Sequence, residues 1–557
     1  MTWVRVFAMV SGAMHLKIAR VKRDNRTYEY LRLVRSGRDT RGKPTQQVLA
    51  NLGRLDLLPK EHWERLAISL MRLSGATVYA AEQIGAEKVD MYGPLLVGHR
   101  LWEDLGLSEK IGRRVRGRKV DFPVAEAALA MVLNRLVSPR SKLALTRWMQ
   151  RVYLPQWEGI GLQVQHLYRA LDLLEEASGE IEEELFHDQR NLFEPGLDMI
   201  FYDLTSTYFE GGGPEEARWG YSRDKRSDRP QILVGLLLNR DGLPLAHKVF
   251  PGNRQDAATV PEVLKGLRER FGLQRVIFVG DRGMVSGANL QALEGAGYEY
   301  IIGLRKRAGK QCWEALQQVG EEDWQQMDAG LRLASVDAGE GVRVIICHSA
   351  GREAEEGEIL HSKLQRGGEG LEKTAASKAR GSKALRRAQA ALTKAKASKY
   401  FELWLEDDGR LGFAEREEVI AREREMLGMY LLQTDAEQLS AQEAVRAYKQ
   451  LQEVEDAFKE MKDFLKLRPV YHYRQGRVEA HVFVCVLAYL LEKMLALRLA
   501  QAGVQLTPRR ALEELESIQV VTLRLPDREL RVITQPTREA RRALRAVGIN
   551  KLPALTN

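Results

Sequence analysis

The chain has 557 residues, of which 44% are hydrophobic and 29% charged, a composition typical of soluble proteins that suffices to bury several cores and predicts roughly two to four domains. Its three cysteines, Cys312, Cys347 and Cys485, are widely spaced, which excludes a disulfide framework and a paired zinc site and fits a reducing cytoplasm. A net charge of +9 favours a polyanionic partner, but with 85 basic and 76 acidic residues the excess must be concentrated locally to matter.

The sequence predicts that residues 1–95 form a basic β-hairpin followed by a helix. Alternating runs at 28–34 and 45–49 are predicted as the two strands, and a helix is predicted at 61–73. Such a hairpin either contacts DNA phosphates or presents a charged edge that keeps it from aggregating. The sequence leaves both interpretations open.

Residues 96–195 predict an all-α domain that is a candidate DNA-binding domain. Helical apolar spacing fills 125–136 and breaks at 138–141. The segment 110–119 holds six basic residues and no acid, and four more basic residues flank the following helix, as a helix-turn-helix-like reader of DNA requires. A plain helical bundle with solvated basic ends explains the same residues, and the sequence does not decide between the two.

Residues 196–305 predict a sheet in which two strands carry carboxylates. In chain order, the predicted elements are strands at 201–207, 231–238 and 245–250, a helix at 257–271, and strands at 275–281 and 298–304. Asp203 lies inside the first strand among apolar and β-branched residues, where a carboxylate is costly unless something compensates it. Asp281 ends the fourth strand. The turn at 239–242 predicts that the second and third strands form an antiparallel hairpin.

Residues 306–425 predict further strands and a strongly basic helix. The strands are predicted at 331–336, at 342–347 and in a hairpin at 400–413. Residues 361–400 contain eleven basic and two acidic residues, a surplus of nine that equals the net charge of the whole chain. The second half of this segment, with Lys383, Arg386 and Arg387, predicts a helix with basic residues on most faces. This helix is either solvated or in contact with DNA phosphates.

Residues 426–503 predict a helix that carries a third carboxylate. Its apolar stripe consists of Leu451, Val454, Phe458, Met461 and Leu465. Tyr448, Glu455 and Lys462 are seven residues apart, about two helical turns each, so we expect them to share the flank beside this stripe. An acid and a cation therefore face the same way.

Two arginines and an apolar helix follow. Arg474 and Arg477 are candidates for DNA contact, with a solvated loop as the alternative. The apolar stretch at 482–491 is shorter than the roughly 18 to 20 residues of a membrane span, so it predicts a buried helix. Residues 504–557 predict a small appendage of helices and strands.

Asp203, Asp281, Tyr448, Glu455 and Lys462 together resemble the signature of bacterial insertion-sequence transposases of the DDE class. In the IS-four-like branch, the first and fourth core strands carry aspartates, and a helix follows with Tyr, two residues, Arg, three residues, Glu, six residues and Lys. The overall order of the chain is most similar to the sixteen-thirty-four group of this branch.

One position departs from that signature. Leu451 stands where the pattern has Arg, and it belongs to the apolar stripe. The phosphate contact of that Arg is therefore expected from Lys449 or Lys459.

The resemblance implies an α+β multidomain protein with a ribonuclease H-like mixed sheet flanked by helices. An insertion subdomain interrupts the sheet, and an N-terminal β-hairpin and an all-α domain precede it. The implied function is a transposase that binds insertion-sequence ends and catalyses metal-dependent DNA cleavage and strand transfer in cut-and-paste transposition. Relatives in this branch free the element through a hairpin intermediate.

The implied catalytic residues and metal ligands are Asp203, Asp281 and Glu455. Three carboxylates in one place repel each other unless cations neutralise them, and carboxylates suit Mg²⁺ or Mn²⁺, so two such ions are expected. The residues expected to contact DNA are Tyr448, Lys459, Lys462, Arg474, Arg477, Lys383, Arg386 and Arg387. The expected partners are double-stranded DNA, as element ends and as target, and a second copy in a homodimer. No membrane partner is expected, and the location is the bacterial cytoplasm with the nucleoid.

Two other functions compete with this interpretation. The sequence Asp203-Leu204-Thr205-Ser206-Thr207 also resembles the nucleophile loop of aspartyl-phosphate phosphotransferases. That enzyme would need a doubly wound parallel sheet, whereas the predicted hairpin is antiparallel. The chain could also be a relic of a transposase that binds DNA without catalysis. Such a relic would be expected to have lost one of the three acids of the signature, and all three are present.

Overall fold

The structure is a computed structural model that describes residues 14–23, 26–39, 42–57, 59–75, 79, 81–192, 198–284, 286–304 and 310–555. The chain divides into two compact units. The smaller comprises the chain up to Lys88 together with Thr522–Arg531, and the larger comprises Val89–Val521 and Val532–Thr556. Within the described ranges, no helix combines the length and the apolar character that crossing a membrane requires.

The N-terminal unit contains an antiparallel sheet and one helix. Its elements are β1 (Met14–Arg23), β2 (Arg26–Arg38), β3 (Pro44–Arg54) and α1 (Lys60–Leu73). The predicted hairpin is present as β2 and β3, and the predicted helix as α1. A third strand was not predicted: β1 pairs with β2 along its whole length. Its apolar side chains alternate with basic ones and stay exposed, so they give no signal of a buried face.

A helical region follows the short strand β4 (Gly85–Met91). Its helices are α2 (Gly93–Asp104), α3 (Leu107–Val115), α4 (Val124–Val137), α5 (Lys142–Trp148) and α6 (Val164–Leu192). The predicted all-α composition is confirmed. Helix α4 is buried along most of its length because other helices surround it.

Four of the six bases predicted to read DNA have partners inside this helical region. Lys110, Arg113, Arg114 and Arg118 pair with a row of acids on α6, namely Glu176, Glu180, Glu184 and Asp188. These acids recur every four residues, so they face one side of the helix. The basic segment is therefore explained by the attachment of α3 to α6, and it does not by itself indicate a DNA-reading surface.

The next elements form five strands at one end of a large mixed sheet, together with two helices. They are β5 (Asp198–Tyr208), β6 (Gln231–Leu238), β7 (Pro244–Pro251), α7 (Val260–Glu269), β8 (Val276–Gly280), α8 (Gly287–Gly295) and β9 (Glu299–Leu304). Strand β5 pairs antiparallel with β6 and parallel with β8, and β6 and β7 form the predicted antiparallel hairpin. This mixed pairing confirms the predicted sheet. Strand β5 is the middle one of these five strands, bonded on both edges.

The segment after β9 first extends this sheet and then leaves it. It contains α9 (Lys310–Gln317), β10 (Gln325–Asp328), β11 (Leu331–Gly339), β12 (Val342–Ser349), α10 (Ala350–Ala375), α11 (Ser382–Ala395), β13 (Phe401–Leu405), β14 (Leu411–Glu415), α12 (Glu417–Glu425) and β15 (Met429–Thr434). The sheet has nine strands in the order β10-β11-β12-β15-β9-β8-β5-β6-β7. Residues 350–425 build a separate hydrophobic core of their own. The separately packed part of the predicted insertion is therefore α10 to α12.

The predicted catalytic helix consists of two helices. They are α13 (Ala441–Gln450) and α14 (Gln452–Asp463), and the long buried helix α15 (Gln475–Gln501) follows. Leu451 joins them with φ −58° and ψ −24°, which is helical geometry, so the apolar stripe continues across the junction. Tyr448 thus lies on α13, and Glu455 and Lys462 lie on α14. The prediction of one continuous helix was wrong.

The last described part of the chain consists of helices and strands, and its helices pack in the main hydrophobic core. Its elements are α16 (Pro508–Leu515), β16 (Gln519–Arg524), β17 (Glu529–Ile533) and α17 (Arg538–Ala546). The strands form a three-stranded sheet in the order β17-β16-β4.

Gly235 in β6 gives a test of the core packing. A methyl group at this position would stand 2.9 Å from the ring of Tyr202 and 3.3 Å from Phe250. Tyr202 is fully buried and donates a hydrogen bond to Thr259, so its ring has little room to move. We expect Gly235→Ala to destabilise the protein by about 1–3 kcal/mol and to lower the midpoint of thermal unfolding.

Gly266 in α7 is the matched control. A methyl group there meets no atom within 4 Å. In a helix interior, Gly266→Ala is expected to stabilise by roughly 0.5–1 kcal/mol. Equal midpoints for the two variants would contradict the packing described around Tyr202.

Candidate active site

Asp203 lies on β5, an interior strand of the sheet, and faces helix α14. Phe201 on the same face of β5 packs in the core that contains α14, whereas Tyr202 and Leu204 pack on the opposite face. Alternation along the strand therefore directs Asp203 toward α14. The backbone N–H of Leu204 donates a hydrogen bond of 2.7 Å to its carboxylate.

Asp281 follows directly after β8, the parallel neighbour of β5. Residue pairing sets Gly280 beside Tyr202, so Asp281 comes to lie next to Asp203 at the same edge. Tyr448 lies close to Asp281. Burial raises the pKa of Tyr448, and the charge of this carboxylate raises it further. Gly303 makes room for the Tyr448 side chain, since a methyl group there would stand 2.3 Å from its hydroxyl. Tyr448 therefore lies beside a candidate metal ligand, and its contact with DNA stays a prediction.

Glu455 projects from the first turn of α14. Val454, Phe458 and Met461 bury the opposite face of the helix in the core. Glu455 is exposed, and the positive end of the helix dipole favours a carboxylate in this turn. The packing of α14 thus holds Glu455 over the strands that carry the two aspartates.

All three acids line one cavity of about 440 Å³. Its charged lining consists of the carboxylates Asp203, Asp256, Asp281, Glu455 and Asp463 and the cations Arg223, Lys459, Lys462 and Arg468. Burial, and then the charges of Asp281 and Glu455, raise the pKa of Asp203 from its ordinary value of 3.8 to about 7. The backbone N–H of Leu204 and the charge of Arg223 oppose this rise. The cavity therefore holds an excess of negative charge around Asp203.

Most of the cations in this cavity already have acidic partners. Lys462 donates a hydrogen bond of 2.8 Å to Asp224, which Arg468 also contacts. Burial lowers the pKa of Lys462, and Asp224 opposes that shift. Lys462 was predicted to hold a DNA phosphate, but in this structure its ammonium group is buried against an acid.

A second ion pair, between Arg223 and Asp256, also lines the cavity. Arg223 donates to Asp256 at 2.6 Å, and its backbone N–H donates to Ser206 in β5 at 2.9 Å. Sequence reasoning missed Arg223, Asp224, Asp256 and Arg468. The only available signal was the charged run at 223–229 between two strands, which resembles any solvated loop.

The three acids, in contrast, have no cationic partner. Across the described ranges, no ion pair involves Asp203, Asp281, Glu455 or Lys459. The described part of the chain contains no group of three or more acid, histidine or cysteine side chains that could hold a metal ion by itself. Mg²⁺ is usually held by one or two carboxylates together with substrate phosphates and water. The carboxylates therefore suit a divalent ion that takes further ligands from substrate phosphate and water.

The other predicted DNA contacts lie away from the cavity. Arg477 forms a bidentate ion pair with Asp172, with distances of 2.6 and 2.9 Å, and its guanidinium also stacks over Tyr168. Lys449 pairs with Asp328 at 3.3 Å. Arg474 is exposed at the start of α15. Of the two proposed substitutes for the missing Arg, only Lys459 lines the cavity.

The basic helix of the insertion is α11. Ala384, Ala388 and Leu392 face its core, and Lys383, Arg386 and Arg387 are exposed. The bases are distributed over the exposed faces of the helix, as predicted, and the remaining face is apolar.

Comparison with known proteins gives two family matches. Residues 195–491, more than half of the chain, match the transposase DDE domain. Residues 16–82 match the N-terminal domain of IS1634 family transposases. Among solved structures, the chain is similar to the piggyBac transposase in a synaptic complex with hairpin DNA. That match has 10% identity and a TM-score of 0.36, and it covers 78% of this chain and 82% of that chain. No curated protein matches.

The raised pKa of Asp203 predicts a pH-dependent stability. Because the folded state binds a proton at Asp203 up to about pH 7 and the unfolded state only up to about pH 4, the wild type loses stability as pH rises through this window. In EDTA, Asp203→Asn should therefore unfold at a higher temperature than the wild type at pH 8. The difference should vanish near pH 4.

Divalent ions provide the second arm of this experiment. Mn²⁺ should stabilise the wild type at pH 8 and leave Asp203→Asn nearly unchanged, because an ion that binds only the native state adds stability. Thermal unfolding midpoints between pH 4 and 8 measure both effects. A difference that stays constant over this range would contradict the assignment of the buried charge.

Proposed function

The chain belongs to the DDE transposases of the IS1634 group, and on this premise we propose that it binds the ends of its insertion sequence and cuts and rejoins DNA in the cavity between β5, β8 and α14. One observation carries the proposal. Three carboxylates from separate elements line one cavity without cationic partners, and their mutual repulsion and burial raise the pKa of Asp203. A merely structural site would pair such acids with bases.

DDE transposase domains generally use divalent metal ions, and the acids provide a site for two. Asp203 would be shared between them, with Asp281 and Glu455 as the second carboxylate of each. Bound there, such ions activate the attacking oxygen and stabilise the leaving oxygen of a phosphodiester. Mg²⁺ and Mn²⁺ suit an all-carboxylate donor set.

The chain's own residues prepare this site. Asp203 has to lose its proton to become a ligand, and its pKa near 7 keeps this exchange within reach at neutral pH. Tyr448 lies close enough to Asp281 for that carboxylate to raise its pKa, and we propose that it helps to position Asp281. Lys459 is one helical turn from Glu455, exposed and without an ion pair in the described part of the chain, so it is the cation best placed to take a DNA phosphate.

The proposed partners are double-stranded DNA, as element ends and as target, and a second copy of the chain that holds the other end. Exposed bases on α11 supply part of the attraction to phosphate. The protein acts where the bacterial nucleoid lies, in the cytoplasm. The aspartyl-phosphate alternative is disfavoured because β5, β6 and β7 are antiparallel neighbours, and because it assigns no role to Glu455.

Glu455→Gln is the sharpest test, because only the transposase function needs this charge. The substitution keeps side-chain size and helix propensity but removes one negative charge from the metal site. We expect folding and binding of element-end DNA to survive. Metal-dependent strand cleavage should fall about a thousandfold or more, on the order of 4 kcal/mol of transition-state stabilisation.

Cleavage of a labelled duplex with the element end, in Mg²⁺ or Mn²⁺, measures this effect. Asp456→Asn is the matched control, since it is the next residue on α14, is exposed and does not line the cavity. Asp203→Asn and Asp281→Asn should behave like Glu455→Gln, and double variants should lose little more. Full cleavage by Glu455→Gln, or acid-stable phosphate labelling of wild-type Asp203, would refute the proposed function.

The basic face of α11 yields a separate prediction. Changing Lys383, Arg386, Arg387, Lys394 and Lys396 to Gln should weaken DNA binding and flatten its dependence on salt. Each lost phosphate contact should reduce the slope of log K against log salt by about 0.9. Lys399→Gln is the control, because that ammonium group is already paired with Glu423 at 2.6 Å. An unchanged slope in the multiple variant would show that α11 is only solvated.

A further inference from the structure

Four large aromatic side chains are exposed near the acidic cavity. Their exposed fractions are 62% for Trp219, 83% for Tyr221, 64% for Tyr471 and 69% for Tyr473. Aromatic rings usually contribute to cores or interfaces, because their faces gain most when they leave water. Among the described residues, Trp404 in the insertion is the one other exposed large aromatic. The four rings are therefore concentrated in one part of the surface.

The two segments that carry these rings flank the end of β5, the strand of Asp203. On one side, Val470 exchanges backbone hydrogen bonds with Tyr208 and Glu210, at 3.0 and 3.1 Å. On the other side, Gln231 pairs with Tyr208 and exchanges two backbone hydrogen bonds with Arg218. Neighbouring strands are about 4.8 Å apart, so the two segments lie about 14 Å from each other.

Both segments also reach the cavity. Tyr221 is two residues from Arg223, and Tyr471 is three residues from Arg468, and both arginines line the cavity. Because consecutive Cα atoms are about 3.8 Å apart, these rings start within about 8 and 11 Å of the cavity lining. The backbone bond of Arg223 to Ser206 fixes the first segment to β5. The rings therefore form a rim of the cavity.

Basic side chains that form no ion pair lie beside the rings. Residues 218–229 and 466–477 carry nine basic residues. Six of them pair with acids, whereas Lys225, Lys466 and Arg474 are exposed and form no ion pair among the described residues. Proteins bind single-stranded nucleic acid with exposed aromatic rings among basic side chains, since each unpaired nucleobase offers a face on which a ring can stack. Nucleobases inside a duplex already stack on one another, so exposed aromatic side chains bind unpaired nucleobases in preference.

We propose that Trp219, Tyr221, Tyr471 and Tyr473 form a stacking platform for unpaired bases of a DNA strand at the rim of the cavity. This proposal rests on the proposed function, because cleavage at an element end produces strand termini beside the three acids. The platform would hold a strand that has separated from the duplex, while neighbouring basic side chains such as Lys225 and Lys466 contact its phosphates.

Binding of single-stranded DNA tests the platform without any cleavage. The probe is an oligodeoxythymidine of about 20 nucleotides with 2-aminopurine inserted, compared with a duplex of equal length, in EDTA and with the full chain. Each of Trp219→Ala, Tyr221→Ala, Tyr471→Ala and Tyr473→Ala should weaken single-strand binding about tenfold and reduce the quenching of 2-aminopurine. Duplex affinity should change less than about twofold. Trp219→Phe and Tyr473→Phe retain a ring face and should bind as the wild type does.

Trp404→Ala is the matched control, an exposed tryptophan in the separate core of residues 350–425. It should leave single-strand binding unchanged. The proposal is overturned if the alanine variants keep the wild-type quenching, if they weaken single-strand and duplex binding equally, or if Trp404→Ala causes the same loss. Stacking does not need the acids, so Glu455→Gln should retain it. Failure of the platform and failure of the proposed function therefore give different results.

Discussion

The repulsion between Asp203, Asp281 and Glu455 in one cavity is the interaction that the surrounding fold has to withstand. Strand β5 is hydrogen-bonded on both edges, between β8 and β6 of the nine-stranded sheet, so Asp203 cannot move away from Asp281, which directly follows β8. Helix α14 is held by a buried apolar face, which keeps Glu455 above them. Burial raises the pKa of Asp203 most, and the charges of Asp281 and Glu455 add to this rise. Such a site favours cations from outside the chain.

The positions of these acids could be predicted because each interrupts a regular pattern. Asp203 is the one carboxylate within an apolar strand, Asp281 ends a fully buried one, and Glu455 flanks an apolar helical stripe. The break between α13 and α14 was invisible in the sequence. Leu451 stays in helical geometry, so the period of the stripe is unchanged and the expected direction of Glu455 survived the wrong helix boundary.

Long-range partners could not be predicted, because periodicity describes one element and not its neighbour. Asp224 and Lys462 are 238 residues apart in the chain, yet they form an ion pair at the cavity that the three acids line. The bases at 110–119 looked like a DNA reader because their acidic row on α6 lies far along the sequence. Likewise, the alternation of β11 and β12 predicted strands but not that they extend the large sheet. Local sequence patterns thus predicted which face of an element a residue occupies. The partner of each side chain depends on tertiary contacts, which these patterns do not describe.

The ion pairs in the cavity also determine where affinity for DNA has to come from. Arg223 and Lys462 are each neutralised by a buried or half-buried aspartate, and Arg468 contacts two, so the cavity contributes little net positive charge of its own. Charges in water are screened beyond about 8 Å at physiological salt, so bases on a distant helix cannot neutralise the acids either. Under the proposed function, attraction to the phosphate backbone therefore arises on surfaces outside the cavity, and bound cations together with Lys459 would hold the reacting phosphate. On this proposal the protein can bind DNA before metal ions occupy the three acids. Cleavage then depends on the ions more steeply than binding does.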